Sequence, residues 1–587
     1  MSSADEAAYA SPIRPGVGRN APRSKNGCYT CRKKKVKCGE ERPQCARCIR
    51  LKLLCDYNPR KRKSKKMAKQ ALELIQRPKS RRYGPELADS DDAPADPDIW
   101  MDSWSRAILL GQGSRCPSAI RMSSPMTGAC SLDLTALDHE SIRYFRTSFA
   151  KLHHTKNPDY SLFSIMFSIA QVDPMVMHML LALGGREIEF RRNRRAEEDR
   201  GPWTPLSHYS CALRMLAEAI NTNDTERLDL DSLHTVIYLM LLYEQKYGDE
   251  KCSGVSNHLM GASQILVSRH KKLQLPAPSL SNRPTASSAL IRRTHTAESC
   301  EHLSLYSARL LVWIALYDGA AASFRLGGQL NASLYSLMSD DDEPQGFINP
   351  FQPLEQFDRL HRFSNPLYRV MWGDDYPQNE LVDDIENRNV FSLLTHCSQL
   401  RCMVAELDKA DRNDDTEFRR RAAGVELCIH SVWSKFVELM EVAGELSVQT
   451  DNSHRLVANL RSIVPFYWAV VLDFLRTTEA STGTSLSTRQ RDALREIMNL
   501  AFQAYKHEGD EAMMRIAWPL FMVALETDDL VHRDWVLERF DSISQFGKNF
   551  ERAYQFLRDI TQRQTHLEMR VDLRGRLQSG EVGLFVI

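Results

Sequence analysis

Six cysteines fall in the pattern Cys28-x2-Cys31-x6-Cys38-x6-Cys45-x2-Cys48-x6-Cys55, and this spacing constrains the chain more than any other feature. Two thiols separated by two residues can turn both sulfurs onto one tetrahedral zinc, at a Zn–S distance of about 2.3 Å. Two separate four-coordinate ions would need eight such ligands, and the segment offers six. Two sulfurs must therefore be shared, which makes the expected object a compact binuclear cluster holding two Zn²⁺. Such a cluster is anionic, so the Lys and Arg around it also offset its charge.

The segment repeats itself, each half reading as a zinc turn followed by a short helix. Between Cys31 and Cys38 stand Arg32, Lys33, Lys34, Lys35, Val36 and Lys37. Between Cys48 and Cys55 stand Ile49, Arg50, Leu51, Lys52, Leu53 and Leu54. The first helix is expected to be a cationic surface and the second to be largely packing. Only the first suits a groove of DNA.

Charge points the same way. Residues 1–82 carry 24 Lys/Arg against 6 Asp/Glu, and taking these from the totals of 77 and 75 leaves 53 basic and 69 acidic residues beyond. A basic head attracts polyanions because each phosphate it neutralises releases condensed counterions. The acidic body should repel them. A disulfide framework is disfavoured, since MSSADEAAYASPIRPG lacks the apolar run of a secretory signal. Zinc modules used only for protein contacts mostly have eight ligands.

Residues 27–57, GCYTCRKKKVKCGEERPQCARCIRLKLLCDY, resemble the zinc binuclear cluster domain of fungal transcription regulators in cysteine spacing, basic first helix and loop proline (Pro43). The resemblance implies that Cys28 and Cys45 bridge the two ions. Cys31 and Cys38 would then complete one zinc, and Cys48 and Cys55 the other. It also implies readout of a CGG-like triplet in the major groove by Lys34 and Lys35, since lysine can donate to guanine O6 and N7. Arg32 and Lys33 fall to phosphates, and Lys37 completes the DNA-binding set. The implied partners are double-stranded DNA and the transcription machinery, and the implied location is the nucleus.

The module is expected over 23–58, after a disordered tail at 1–22 and before a linker at 59–133. The linker opens on the basic run Arg60, Lys61, Arg62, Lys63, Ser64, Lys65, Lys66, suited to nuclear import, phosphate contact or both. Residues 67–77 could form three helical turns that Pro78 ends, too few for a stable coiled coil. Two outcomes remain, binding as a monomer with help from the basic run at 60–66 or, the favoured one, a homodimer formed through the helical region beyond 134. Residues 84–104 are acidic, proline-broken and expected to be disordered. Their end, Ile99-Trp100-Met101-Asp102-Ser103-Trp104, reads either as an activation segment or as a plain linker whose tryptophans dock nearby.

From 134 to 575 the pattern is helical almost throughout, so the fold class is mainly α, with a large all-helical domain and a tail at 576–587. Asp138 is expected to cap a helix bearing Ile142, Phe145, Phe149 and Leu152. Asp173-Pro174 should start the next, and Gly184-Gly185 should stop it. Further helices are expected near 205–222, 231–246, 256–272, 301–326, 380–411, 415–445, 453–477, 487–508, 510–526 and 547–570. Loops are expected at 273–298 and 337–375, the second dividing two lobes.

No run approaches about 18 consecutive apolar residues, so no membrane span is expected. No phosphate loop, Gly-x-Ser-x-Gly or His-Glu-x-x-His occurs, and an enzyme is not expected. The region also resembles the all-helical regulatory domain that accompanies fungal zinc clusters. The resemblance rests on 173–183, on 243–249 with 258–266, and on 517–526 with Arg533. The reading is a DNA-binding regulator of RNA polymerase II transcription, with activation favoured. The rival is a zinc-stabilised helical interaction scaffold, or a repressor without its own activation function.

Overall fold

The computed structural model describes residues 28, 30–31, 36, 38–51, 55 and 57, then residue 132, 134–153, 155–192, 204–221, 229–270, 272–273, 275, 303–339, 350–410, 414–479, 486–567, 569–578 and 583–587. The chain forms two compact units, 1–102 and 103–587. Among the described residues every regular element is helical and there is no strand. The expected tail at 1–22, the basic run, the segments 67–77 and 84–104, and the loop 276–298 lie outside the described residues.

The first unit contains the short helix α1 (Ala46–Arg50). The second begins with α2 (Ala136–Tyr144), followed by a π-helical turn at Phe145–Phe149 and by α3 (Leu162–Ala170) and α4 (Pro174–Arg192). Then come α5 (Pro205–Asn221), α6 (Leu230–Tyr247), α7 (Leu305–Ala322) and α8 (Arg388–Lys409). Further along lie α9 (Arg455–Thr478), α10 (Thr488–Glu508), α11 (Ala517–Glu526) and α12 (Lys548–Leu567).

Local chemistry explains several boundaries. Thr135, not Asp138, is the N-cap of α2. Its hydroxyl accepts the Asp138 N–H at 3.2 Å while the Asp138 carboxylate accepts the Thr135 N–H at 2.8 Å, a capping box. Asp173 does cap α4, accepting the Met175 N–H at 2.9 Å ahead of Pro174. Ser487 and Gln490 make a second capping box at α10.

Gly184 and Gly185 do not stop α4, which runs on through them to Arg192. A Cβ on Gly184 would lie 2.5 Å from the Ser141 carbonyl oxygen, and one on Gly185 2.9 Å from the Pro205 ring. These glycines let α2 and the start of α5 approach α4 closely. The pair is a packing contact.

Apolar burial holds the second unit together in two clusters. One gathers residues of the π-helical turn, α4, α6 and α7 such as Phe145, Met179, Leu239 and Ile314. The other is built on α8 to α12, with Leu400, Val470, Phe521 and Phe556. The expected loop at 337–375 instead contains helices Gln352–Ser364 and Leu367–Trp372. It joins the clusters, because Leu354 belongs to one while Phe357, Leu360 and Leu367 belong to the other. The last residues, read from sequence as a tail, are also buried. Phe585 and Ile587 enter the second cluster and Val586 the first. α9 is long and apolar enough to cross a membrane on length and composition, but 78% of its apolar window is buried inside this core.

Candidate metal centre and nucleic-acid interface

The first unit's core is sulfur. Cys28, Cys31, Cys38, Cys45 and Cys48 are buried, with Val36, Cys55 and Tyr57 packed around them. Four thiols, those of Cys28, Cys31, Cys45 and Cys48, have sulfur atoms within 4.8 Å of one another. Cys28 lies 3.8 Å from both Cys45 and Cys48, and Cys31 lies 3.7 Å and 3.9 Å from the same two. A tetrahedron of sulfurs about 2.3 Å from a central zinc has edges of about 3.8 Å. The spacing fits thiolate ligation.

The remaining two sulfurs flank this group. Cys38 lies against Cys31 and Cys45, and Cys55 against Cys28, Cys45 and Cys48. Backbone N–H groups point at the sulfurs: Cys28 N donates to Cys38 Sγ at 3.3 Å, Cys31 N to Cys28 Sγ at 3.4 Å and Cys45 N to Cys55 Sγ at 3.2 Å. Donors of this kind favour thiolate. The Cys48 N–H pulls the Cys45 thiol down to about 6, against the opposing effect of burial. Burial instead pushes Cys31 up to about 12.

Three residues in the module went unremarked in the sequence reading. Tyr57 places its hydroxyl 3.5 Å from Cys38 Sγ, and the Arg42 guanidinium sits over its ring at 5.1 Å. Glu41 accepts the Ala46 N–H at 3.0 Å, satisfying an open donor at the start of α1 and holding its own carboxyl below the usual range. The aromatic two residues past the last cysteine was the available signal for Tyr57. The second half departs from the expected packing role, since Ile49 and Leu51 are 58% and 45% exposed and Cys48 is the buried residue of α1.

The candidate DNA-contacting residues Arg32, Lys33, Lys34, Lys35 and Lys37 lie outside the described residues, as do Arg60, Lys61, Arg62, Lys63, Lys65 and Lys66. Arg47 and Arg50 on α1 are the described cations closest in sequence to the paired cysteines, and Arg50 is exposed.

The class these features define is a cysteine-cluster module joined in one chain to a separate all-helical unit. The profile described as the fungal Zn(2)-Cys(6) binuclear cluster domain matches residues 26–64, and the one described as the fungal specific transcription factor domain matches 140–566. The chain belongs to the fungal Zn(2)-Cys(6) transcription regulators. It is similar to the sterol uptake control protein 2 of Candida albicans, 57% identical over 35 residues, 6% of this chain and 5% of that one. The aflatoxin biosynthesis regulatory protein of Aspergillus flavus is 43% identical over 51 residues, 9% and 12% of the two chains. The elsinochrome C biosynthesis regulatory protein of Phaeosphaeria nodorum is 29% identical over 94 residues, 16% and 20%. The chain thus aligns with at most about a fifth of the length of these relatives. No solved structure matches it.

Proposed function

We propose that this protein is a nuclear, sequence-specific regulator of RNA polymerase II transcription, more an activator than a repressor, that holds two Zn²⁺ and reads CGG-like triplets. The observation that carries the reading is the set of four sulfurs at 3.7–3.9 Å within a segment matched by the zinc cluster profile. The six-cysteine spacing and its resemblance, not the four-sulfur group, support the partition in which Cys28 and Cys45 bridge the ions, Cys31 and Cys38 complete one, and Cys48 and Cys55 the other. Lys34 and Lys35 donate to guanine, while Arg32, Lys33, Lys37 and the run from Arg60 to Lys66 work on phosphates and import. Folded domain limits of 23–58 and 134–575, the second extended by the buried Phe585–Ile587, belong to the same proposal.

The test is binding of the full chain to CGG-containing and scrambled duplex across a salt series, with metal content measured on the same sample. Two zincs per chain and a preference for CGG are expected. Lys35→Ala should cost about 1–3 kcal/mol and relax that preference, whereas neutralising Lys61, Arg62 and Lys63 should weaken both duplexes alike and flatten the salt slope. One zinc per chain would remove the binuclear assignment. Equal binding to both duplexes, with Lys35→Ala silent, would favour the interaction scaffold.

A further inference from the structure

Four side chains from three helices of the helical unit form a hydrogen-bonded chain that ends on a partly exposed thiol. Asp138 of α2 places Oδ1 3.1 Å from His208 Nε2 on α5. His208 Nδ1 lies 2.9 Å from His178 Nδ1 on α4, and His178 Nε2 lies 3.5 Å from Cys211 Sγ, back on α5. Both imidazoles and Asp138 are buried, while Cys211 reaches the surface. The Arg214 guanidinium stands 3.7 Å from the same sulfur.

The direction of the chain follows from one end. The Asp138 carboxylate accepts from the Thr135 N–H and hydroxyl through Oδ2 and, when ionised, can only accept through Oδ1. His208 must then donate from Nε2, which in a neutral ring leaves Nδ1 as a lone pair. That lone pair accepts the Nδ1–H of His178, whose Nε2 is left as a lone pair facing Cys211. Burial keeps both rings below their usual basicity, so the neutral forms this needs are favoured. A base oriented by a second ring and a buried carboxylate is the arrangement that readies a nucleophile.

We propose that Cys211 is an activated thiol that forms a covalent adduct with soft carbon electrophiles, of the enone or quinone class. The sulfur proton passes to His178 Nε2 as the S–C bond forms at the β-carbon. The electron pair of the C=C bond moves to the α-carbon, which takes the proton back. Nothing is oxidised and no co-reactant is consumed. Arg214 offsets the charge on sulfur during attack. The other described thiols outside the module are buried and unsuited to this step: burial pushes Cys252 up to about 11 and Cys428 to about 12, and raises Cys397 and Cys402 as well.

The experiment treats the full-length, zinc-loaded protein with substoichiometric N-ethylmaleimide, an activated enone, and times adducts at each cysteine by mass spectrometry. The same measurement on the urea-unfolded chain gives each thiol's intrinsic rate. Cys211 should react about tenfold faster folded than unfolded, while Cys252, Cys397, Cys402 and Cys428 react more slowly folded. Asp138→Asn presents an N–H to His208, reverses the chain, and should abolish the acceleration. Arg214→Ala, an exposed change that leaves the fold intact, should lower the folded rate about two- to threefold. A folded Cys211 no faster than its unfolded counterpart would overturn the proposal. So would an Asp138→Asn protein with native helical content and undiminished acceleration.

Discussion

The two units solve the same problem by opposite means. The module around residues 28–57 buries five cysteines and surrounds them with Val36, Cys55 and Tyr57, leaving Ile49 and Leu51 in water. The helical unit buries whole faces of α6, α9 and α11 in two apolar clusters. Hydrophobic burial grows with size, so a module this small cannot order itself on apolar area. On the proposed function, zinc–thiolate bonds replace the missing core. The proposed DNA reader and the helical unit therefore depend on different stabilising chemistry.

The largest expected effect breaks the two apart directly. Structural zinc in small modules contributes on the order of 10 kcal/mol, which is folding free energy because the site does not exist in the unfolded chain. A strong chelator should therefore abolish DNA binding while the far-UV helical signal and its melting transition stay where they were. A melting transition that fell together with zinc content would show that the helical unit also leans on the metal.

The reciprocal test disturbs the helical unit alone. Glu187 of α4 and Lys246 of α6 pair at 2.8 Å with side chains 1% and 3% exposed, and Glu187 also accepts from Tyr144 and Arg191. Removing one partner of a buried pair strands the other charge, so Glu187→Ala should destabilise by about 3–5 kcal/mol. Glu187→Leu with Lys246→Met should recover much of that, because the desolvation cost of both charges disappears. Zinc content should not change in either protein. Unfolding midpoints from denaturant titration, with metal analysis alongside, decide the point.

The same contrast governs what the sequence revealed. The gathering of the paired cysteines was legible because their spacing is local: both pairs lie within four residues. The direction of charge, the mainly helical class and the cap at Asp173 were legible for the same reason. Gly184 and Gly185 were misread because a glycine that ends a helix and one that admits a neighbour look alike until Ser141 and Pro205 are in place. Residues 352–372 read as loop because their polar letters mask the apolar positions Leu354, Phe357, Leu360 and Leu367, which bridge two clusters. Lys246 stood in a stretch already noted for its resemblance, yet its partner is 59 residues away. The chain from Asp138 to Cys211 had no local signature at all.

Acid should weaken both units, by different routes. In the module protons compete with zinc for thiolate. In the helical unit the cause is buried neutral histidine. Burial lowers His234 to about 4, His361 to about 3 and His396 to about 4. In His396, Nδ1 faces the Ser392 carbonyl at 2.7 Å and Nε2 faces the Lys435 ammonium at 3.1 Å, so a second proton would meet a cation. In the unfolded chain these groups titrate near about 6.5. Folded pKa values are depressed, so the stability they contribute is complete above about 6.5 and is lost as pH falls toward 4. His361→Leu should flatten that slope by up to about 1.4 kcal/mol per pH unit. An unchanged slope between pH 6.5 and 4.5 would mean His361 titrates in the folded protein as it does in the unfolded one.

The smallest effect probes the edge of the module, where a single aromatic residue does the work that a core does elsewhere. Tyr57 touches Cys38 Sγ through its hydroxyl at 3.5 Å and supports Arg42 through its ring. Tyr57→Phe keeps the ring and the cation–π contact but removes an O–H···S interaction, which is weak beside the metal–sulfur bonds themselves. Zinc release to a competing chelator should quicken by about two- to fivefold, as expected for a polar contact around a ligand rather than for a ligand. Tyr57→Ala, which loses the ring as well, should release zinc faster still and leave Cys38 open to water. The order wild type, Phe, Ala would place the hydroxyl and the ring as separate supports of Cys38. If Phe matched Ala, the hydroxyl alone would hold the sulfur, and the ring's contact with Arg42 would contribute nothing to metal retention.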